Sequence, residues 1–72
     1  MHYEFDTGTV CGYHANDEEG QAHIRAQIKR AISGEAEFSV RAVMPDGSYS
    51  VIAAGWTKAS GEYTYSCDAW LQ

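Results

Sequence analysis

Proline is almost missing from this chain of 72 residues; Pro45 is the only one. Proline interrupts both helices and central strands, so its rarity lets elements run on, and Pro45 itself marks a place where a strand must end. Cysteine is scarce as well. Cys11 and Cys67 are the whole complement, too few for a disulfide framework or a cysteine-built zinc module. Whether the two meet in one bridge is left open by their spacing. No apolar run approaches the roughly 20 residues of a spanning helix. The first residues, Met1-His2-Tyr3-Glu4-Phe5-Asp6, have neither the basic nor the apolar region of a secretory signal, so a cytoplasmic protein is expected. Cations are few: five Lys and Arg stand against ten Asp and Glu, for a net charge of −5. A general nucleic-acid binder needs a basic surface to neutralise phosphates, so that class is disfavoured. A basic protein partner, or a basic groove that normally holds nucleic acid, is compatible with the charge.

What the chain does contain is enough for one globular domain, residues 1–72, with 44% apolar and 21% charged residues. A domain this short buries roughly 60% of its unfolded surface, so its stability is marginal. The clearest local signal is Phe38 to Val43, then Met44-Pro45-Asp46-Gly47-Ser48, then Tyr49 to Ala54. Proline presets the first turn position, aspartate suits the second, and glycine accepts the left-handed conformation after them. A three-residue loop of this kind sets the register. It pairs Met44 with Ser48, Ala42 with Ser50, Val40 with Ile52 and Phe38 with Ala54. A second turn is expected at Lys58-Ala59-Ser60-Gly61, as a four-residue loop. Followed through both turns, the pattern predicts a three-stranded meander over about 36–44, 48–57 and 62–70. Its inner face carries Phe38, Val40, Ala42, Met44, Ile52, Ala54, Trp56, Tyr63, Tyr65, Cys67 and Ala69. Its outer face presents Arg41, Tyr49, Val51, Ser66, Asp68 and Trp70.

A helix is expected over about 17–33. Ile24, Ile28, Ala31 and Ile32 share one face at helical spacing. Asn16 is placed to cap it with Glu19 closing a capping box. Asp17, Glu18 and Glu19 oppose the positive end of the dipole, and Arg25, Lys29 and Arg30 follow toward the negative end. Gly34 is expected as the left-handed residue beyond the last turn. Gly20, inside the first turns, costs about 1 kcal/mol against alanine unless a strand must come close there. Residues 2–14 form either a hairpin or one bent strand, with the hairpin preferred. The fold class is therefore α+β: one helix on an antiparallel sheet.

Motifs for chemistry are sparse. Cys11 and His14 have a C-x-x-H spacing, but zinc needs three or four converging ligands and no second pair is present. There is no G-x-S-x-G, H-E-x-x-H or phosphate-binding loop, so neither catalysis nor a cofactor nor a metal is expected. Two surfaces remain. Arg41, Tyr49, Val51, Asp68 and Trp70 form a rather apolar outer set suited to a partner. Asp17, Glu18, Glu19, Glu35 and Glu37 form an acidic surface suited to a basic one.

A short acidic chain, with a helix from Asn16 to Gly34 over a meander from Glu37 to Leu71 and no catalytic motif, resembles the small phage-encoded anti-defence proteins of the anti-CRISPR and anti-restriction type. That resemblance implies a stoichiometric inhibitor that occupies a surface of a larger, basic, nucleic-acid-handling complex. Two alternatives stand beside it: an accessory module that homodimerises through its open sheet face or last strand, and a nucleic-acid-binding helix using Arg25, Lys29 and Arg30.

Overall fold

The computed structural model describes residues 1–72. Strands β1 (His2–Asp6) and β2 (Cys11–Ala15) precede the helix α1 (Glu18–Ser33). Strands β3 (Phe38–Val43), β4 (Tyr49–Thr57) and β5 (Tyr63–Cys67) follow it, and a short 3₁₀ turn (Ala69–Leu71) ends the chain. The five strands form one antiparallel sheet in the order β2-β1-β3-β4-β5. The expected α+β fold is thus present, with its helix and its C-terminal meander. The N-terminal segment takes the hairpin alternative, with Thr7 N donating to the Val10 carbonyl across the turn.

Helix and sheet meet over a core of Tyr3, Phe5, Ile24, Ile28, Ala31, Phe38, Val40, Ala53 and Leu71. The helix packs on β1, β2 and the 3₁₀ turn. Gly20 explains how it comes so close to β2. A Cβ there would overlap the carbonyl oxygen of Ala15, so only glycine allows this approach, as the sequence suggested. Gly55 has the same role inside the sheet: a Cβ would lie 2.5 Å from Cε1 of Phe38 and would also collide with the Tyr63 hydroxyl.

Both helix ends differ from expectation by one residue. Asp17, not Asn16, is the N-cap, and its carboxylate accepts from Gly20 N at 2.7 Å. Asn16 is held elsewhere: its Oδ1 accepts from the Tyr3 hydroxyl at 2.8 Å and from Gln21 Nε2 at 3.1 Å. At the other end Gly34 has φ −89 and the left-handed residue is Glu35, φ 51. Glu35 N donates to the Ile32 carbonyl and Ala36 N to that of Ala31, the paired bonds of a Schellman motif with glutamate in the place that favours glycine. Glu35→Gly is therefore expected to raise stability by up to about 1 kcal/mol, since relief of left-handed strain exceeds the added chain entropy. A higher urea midpoint with unchanged slope is the readout; a lower midpoint would contradict the strain.

The meander keeps the expected register only near its first turn. Met44 N donates to the Ser48 carbonyl, and Ala42 pairs with Ser50. Beyond Arg41, paired with Val51, one extra residue enters β4, so Val40 opposes Ala53 and Phe38 opposes Gly55. The bulge falls at Ile52, which stays partly buried at the margin of the core. The second turn is also shorter than expected. Lys58 N donates to the Glu62 carbonyl around a three-residue loop, and Gly61 has φ 91, just as Gly47 does in the first turn. The two one-residue shifts cancel in β5, where Tyr63, Tyr65 and Cys67 do lie on the inner side. In β4 they do not cancel: Ala53 and Gly55 turn inward while Ala54 and Trp56 turn outward. The physical reason is space. The Phe38 ring and the Tyr63 hydroxyl converge where the straight register would place Ala54, and only glycine fits there. The last strand stops at Cys67 rather than near residue 70. Asp68 N still donates to the Ile52 carbonyl at 2.9 Å before the chain turns beneath the sheet.

Candidate functional site

Helix and 3₁₀ turn both cover the inner side of the sheet, which leaves the outer side without a second layer. Strand alternation brings Cys11, Tyr13 and Ala15 of β2 onto it, then His2, Glu4 and Asp6 of β1, and Ser39, Arg41 and Val43 of β3. From β4 come Tyr49, Val51, Ala54 and Trp56, and from β5 Thr64 and Ser66.

A continuous polar and aromatic band crosses four of these strands. The His2 ring stacks on Tyr13, centroids 4.3 Å apart, and its Nε2 lies 2.8 Å from Glu4 Oε2. Glu4 Oε1 accepts from Arg41 Nη2 at 3.4 Å. The Arg41 guanidinium in turn lies 5.0 Å from the centroid of the Tyr49 ring. Each side chain thus holds the next, and little ordering entropy remains to be lost when a partner covers them. Tyr13 is 71% exposed and Val51 58%. The Nε of Arg41 is buried without a hydrogen-bond partner.

One end of the same face forms a shallow notch of about 290 Å³, lined by Asp6, Thr7, Glu37, Ser39 and Trp56 among others. The Glu37 carboxylate reaches Thr57 N at 3.5 Å, and Asp6 Oδ1 accepts from Gly8 N at 2.6 Å. Two carboxylates beside an indole that is 43% exposed suit a cationic side chain, which gains from both charge and ring face.

The outer set anticipated from sequence divides. Arg41 and Tyr49 belong to the band, and Val51 lies opposite Arg41 on the same face. Asp68 and Trp70 do not, because the chain leaves the sheet after Cys67. Trp70 sits on the helix side, its ring 5.5 Å from that of Tyr3; Asp68 is exposed at the entry to the 3₁₀ turn. His2, Glu4, Tyr13 and Trp56 were missed. Alternation along residues 2–6 and 11–15 carried the signal for the first three.

The anticipated acidic surface is not one surface. Asp17, Glu18 and Glu19 stand at the start of a 16-residue helix, with Asp17 engaged as cap and Glu19 3.7 Å from His23. Glu35 and Glu37 follow its other end, about 24 Å away along the axis. Only Glu37 joins the outer face.

Cys11 and His14 project to opposite sides of β2, Cys11 beside Asp6 and His14 beside Tyr3. His14 Nε2 is 2.7 Å from Gln27 Oε1, a bond from strand to helix. No group of three or more His, Cys, Asp or Glu side chains converges. Both cysteines are free, and they stand on the two opposite edge strands of the sheet. Burial, aided by the nearby Asp68 charge, pushes the Cys67 thiol above its ordinary pKa and keeps it neutral.

These features define a small α+β protein of one helix on a five-stranded antiparallel sheet with an open outer face. No family model, curated protein or solved structure matches the chain. No helix is long and apolar enough to cross a membrane.

Proposed function

We propose that this chain is a non-enzymatic binding protein whose outer sheet face holds a basic surface of a larger protein or nucleoprotein complex. The observation that carries the reading is the ordered band from Tyr13 through His2, Glu4 and Arg41 to Tyr49, with the Trp56 notch at its flank. Aromatic side chains with arginine are the residue types that supply most binding energy in protein interfaces. The carboxylates of Asp6 and Glu37 and the net charge of −5 select a basic partner and speed its approach. The specific form of this reading is a stoichiometric inhibitor of a host defence nuclease, of the phage anti-defence kind. An accessory homodimer built on the same face is the alternative, and sedimentation at two concentrations separates the two.

The test pairs binding with folding. Affinity capture from host lysate with the wild-type chain is expected to recover a nuclease or nucleoprotein at one-to-one stoichiometry. Trp56→Ala is expected to weaken that capture by about tenfold or more, as for an interface anchor, while unfolding changes by less than about 1 kcal/mol because the indole is not in the core. Trp70→Ala, against Tyr3, is expected to do the reverse. Equal capture by wild type and Trp56→Ala would remove the outer face from consideration.

A further inference from the structure

The sheet is wider than the helix that covers it. Four strand spacings span about 19 Å, whereas one helix with its side chains is about 10–12 Å across. The helix lies toward β1 and β2, where Gly20 rests on the Ala15 carbonyl, so the β5 side of the inner face is only partly roofed. The result is a groove of about 540 Å³ between the helix, β5 and the end of the chain. That volume falls within the roughly 300–1,000 Å³ of small-molecule sites.

The groove has two chemistries. Its apolar surface comes from Ile28 and Ile32 on the helix, Tyr65 and Cys67 on β5, and Leu71. Its charged groups are Arg25 and Lys29, one helical turn apart and so on one side of the helix. No aspartate or glutamate side chain lines it; the other polar side chains are Ser33 and Gln72, with the neutral Cys67 thiol and the Tyr65 hydroxyl. Neither Arg25 nor Lys29 takes part in an ion pair, whereas Arg41 and Lys58 both do. A chain with twice as many acids as bases thus keeps two free cations beside this apolar groove. Gln72 also bears on what can enter. Its Nε2 donates to the Cys67 carbonyl at 3.1 Å, which occupies an acceptor that an added strand from another protein would need at this sheet edge.

We propose that this groove binds a small amphiphilic anion, an aliphatic or aromatic chain ending in a carboxylate, with the chain against Ile28, Ile32, Tyr65 and Leu71 and the carboxylate between Arg25 and Lys29. The site is on the opposite side of the sheet from Trp56 and does not depend on the protein-binding reading.

Calorimetric titration with dodecanoate, kept below its micelle concentration, tests it on the intact chain. Dodecyltrimethylammonium is the tail-matched cation and acetate the head group alone. The expected result is one equivalent of dodecanoate bound, about tenfold tighter than the cationic amphiphile at low salt, and no measurable acetate binding. The double variant Arg25→Gln/Lys29→Gln is expected to weaken dodecanoate about fivefold, because exposed ion pairs are individually modest. Ala26→Glu changes an exposed helix position at the groove wall and is expected to weaken it about tenfold by like-charge repulsion, with thermal unfolding unaltered. Trp56→Ala should bind dodecanoate as the wild type does. Absence of dodecanoate binding, equal affinity for both amphiphiles, or indifference to both charge variants overturns the proposal.

Discussion

Gly20→Ala is expected to lower unfolding free energy by about 2–3 kcal/mol, in the range of an overpacked core site, although alanine is the better helix former by about 1 kcal/mol. The two effects have opposite signs, and the structure decides between them. Gly20 is buried in the first turns of the helix, and the space its Cβ would occupy already holds the backbone carbonyl of Ala15. A side chain could rotate away; a strand backbone cannot move without disturbing its pairing with His2. The N-cap is at risk too, because Gly20 N is the donor to the Asp17 carboxylate. Urea unfolding followed by circular dichroism reads the result as a lower midpoint with unchanged slope. A midpoint raised by the propensity gain would show that helix and strand are not in contact there.

The same residue illustrates which parts of the fold were legible in sequence. A glycine interrupting an otherwise periodic helix is a local anomaly, and a close backbone approach is one of its few causes. The helix, the two tight turns and the succession of elements along the chain all rest on such local signals: Ile24, Ile28 and Ala31 at helical spacing, Pro45-Asp46-Gly47 in the first turn, Gly61 in the second. The inward direction of Tyr63, Tyr65 and Cys67 was legible only because two register shifts cancelled. Exchange of the cap from Asn16 to Asp17 was not legible, because the competitor for Asn16 is the Tyr3 hydroxyl, thirteen residues away in sequence.

For the candidate site the limit was physical in the same way. Arg41, Tyr49 and Val51 lie on the turn side of the bulge, where the register from the first turn still holds, and they were placed correctly on the outer face. Trp56 lies beyond it and was placed on the wrong side. Trp70 was misplaced because the strand was extended past Cys67, whereas the chain turns down to bury Leu71 against the helix. The band itself depends on long-range neighbours: His2 meets Tyr13, and Glu4 meets Arg41. A pairing of β1 with β3 is needed to see it, and no turn connects those two strands.

The bulge makes a second strong prediction. Gly55→Val is expected to destabilise by about 2–4 kcal/mol, through overpacking together with the loss of one hydrogen bond. Propensity again points the other way, since valine is favoured over glycine in strands by up to about 1 kcal/mol. The Phe38 ring and the Tyr63 hydroxyl crowd the position, and that hydroxyl donates to the Ala36 carbonyl at 2.7 Å. Displacing Tyr63 would therefore also loosen the exit from the helix. In a sheet without the bulge, Gly55 would face outward, valine there would be harmless, and Trp56 would be core. The two registers are thus distinguished by a pair of variants measured together in denaturant. Gly55→Val should lose several times more stability than Trp56→Thr, which is expected to stay within about 1 kcal/mol of wild type as a surface change. The opposite ranking would restore the straight register and withdraw Trp56 from the outer face, and with it the notch that Asp6 and Glu37 complete. Burial of Gly55 and availability of Trp56 to a partner are one structural fact, because adjacent residues in a strand cannot share a face.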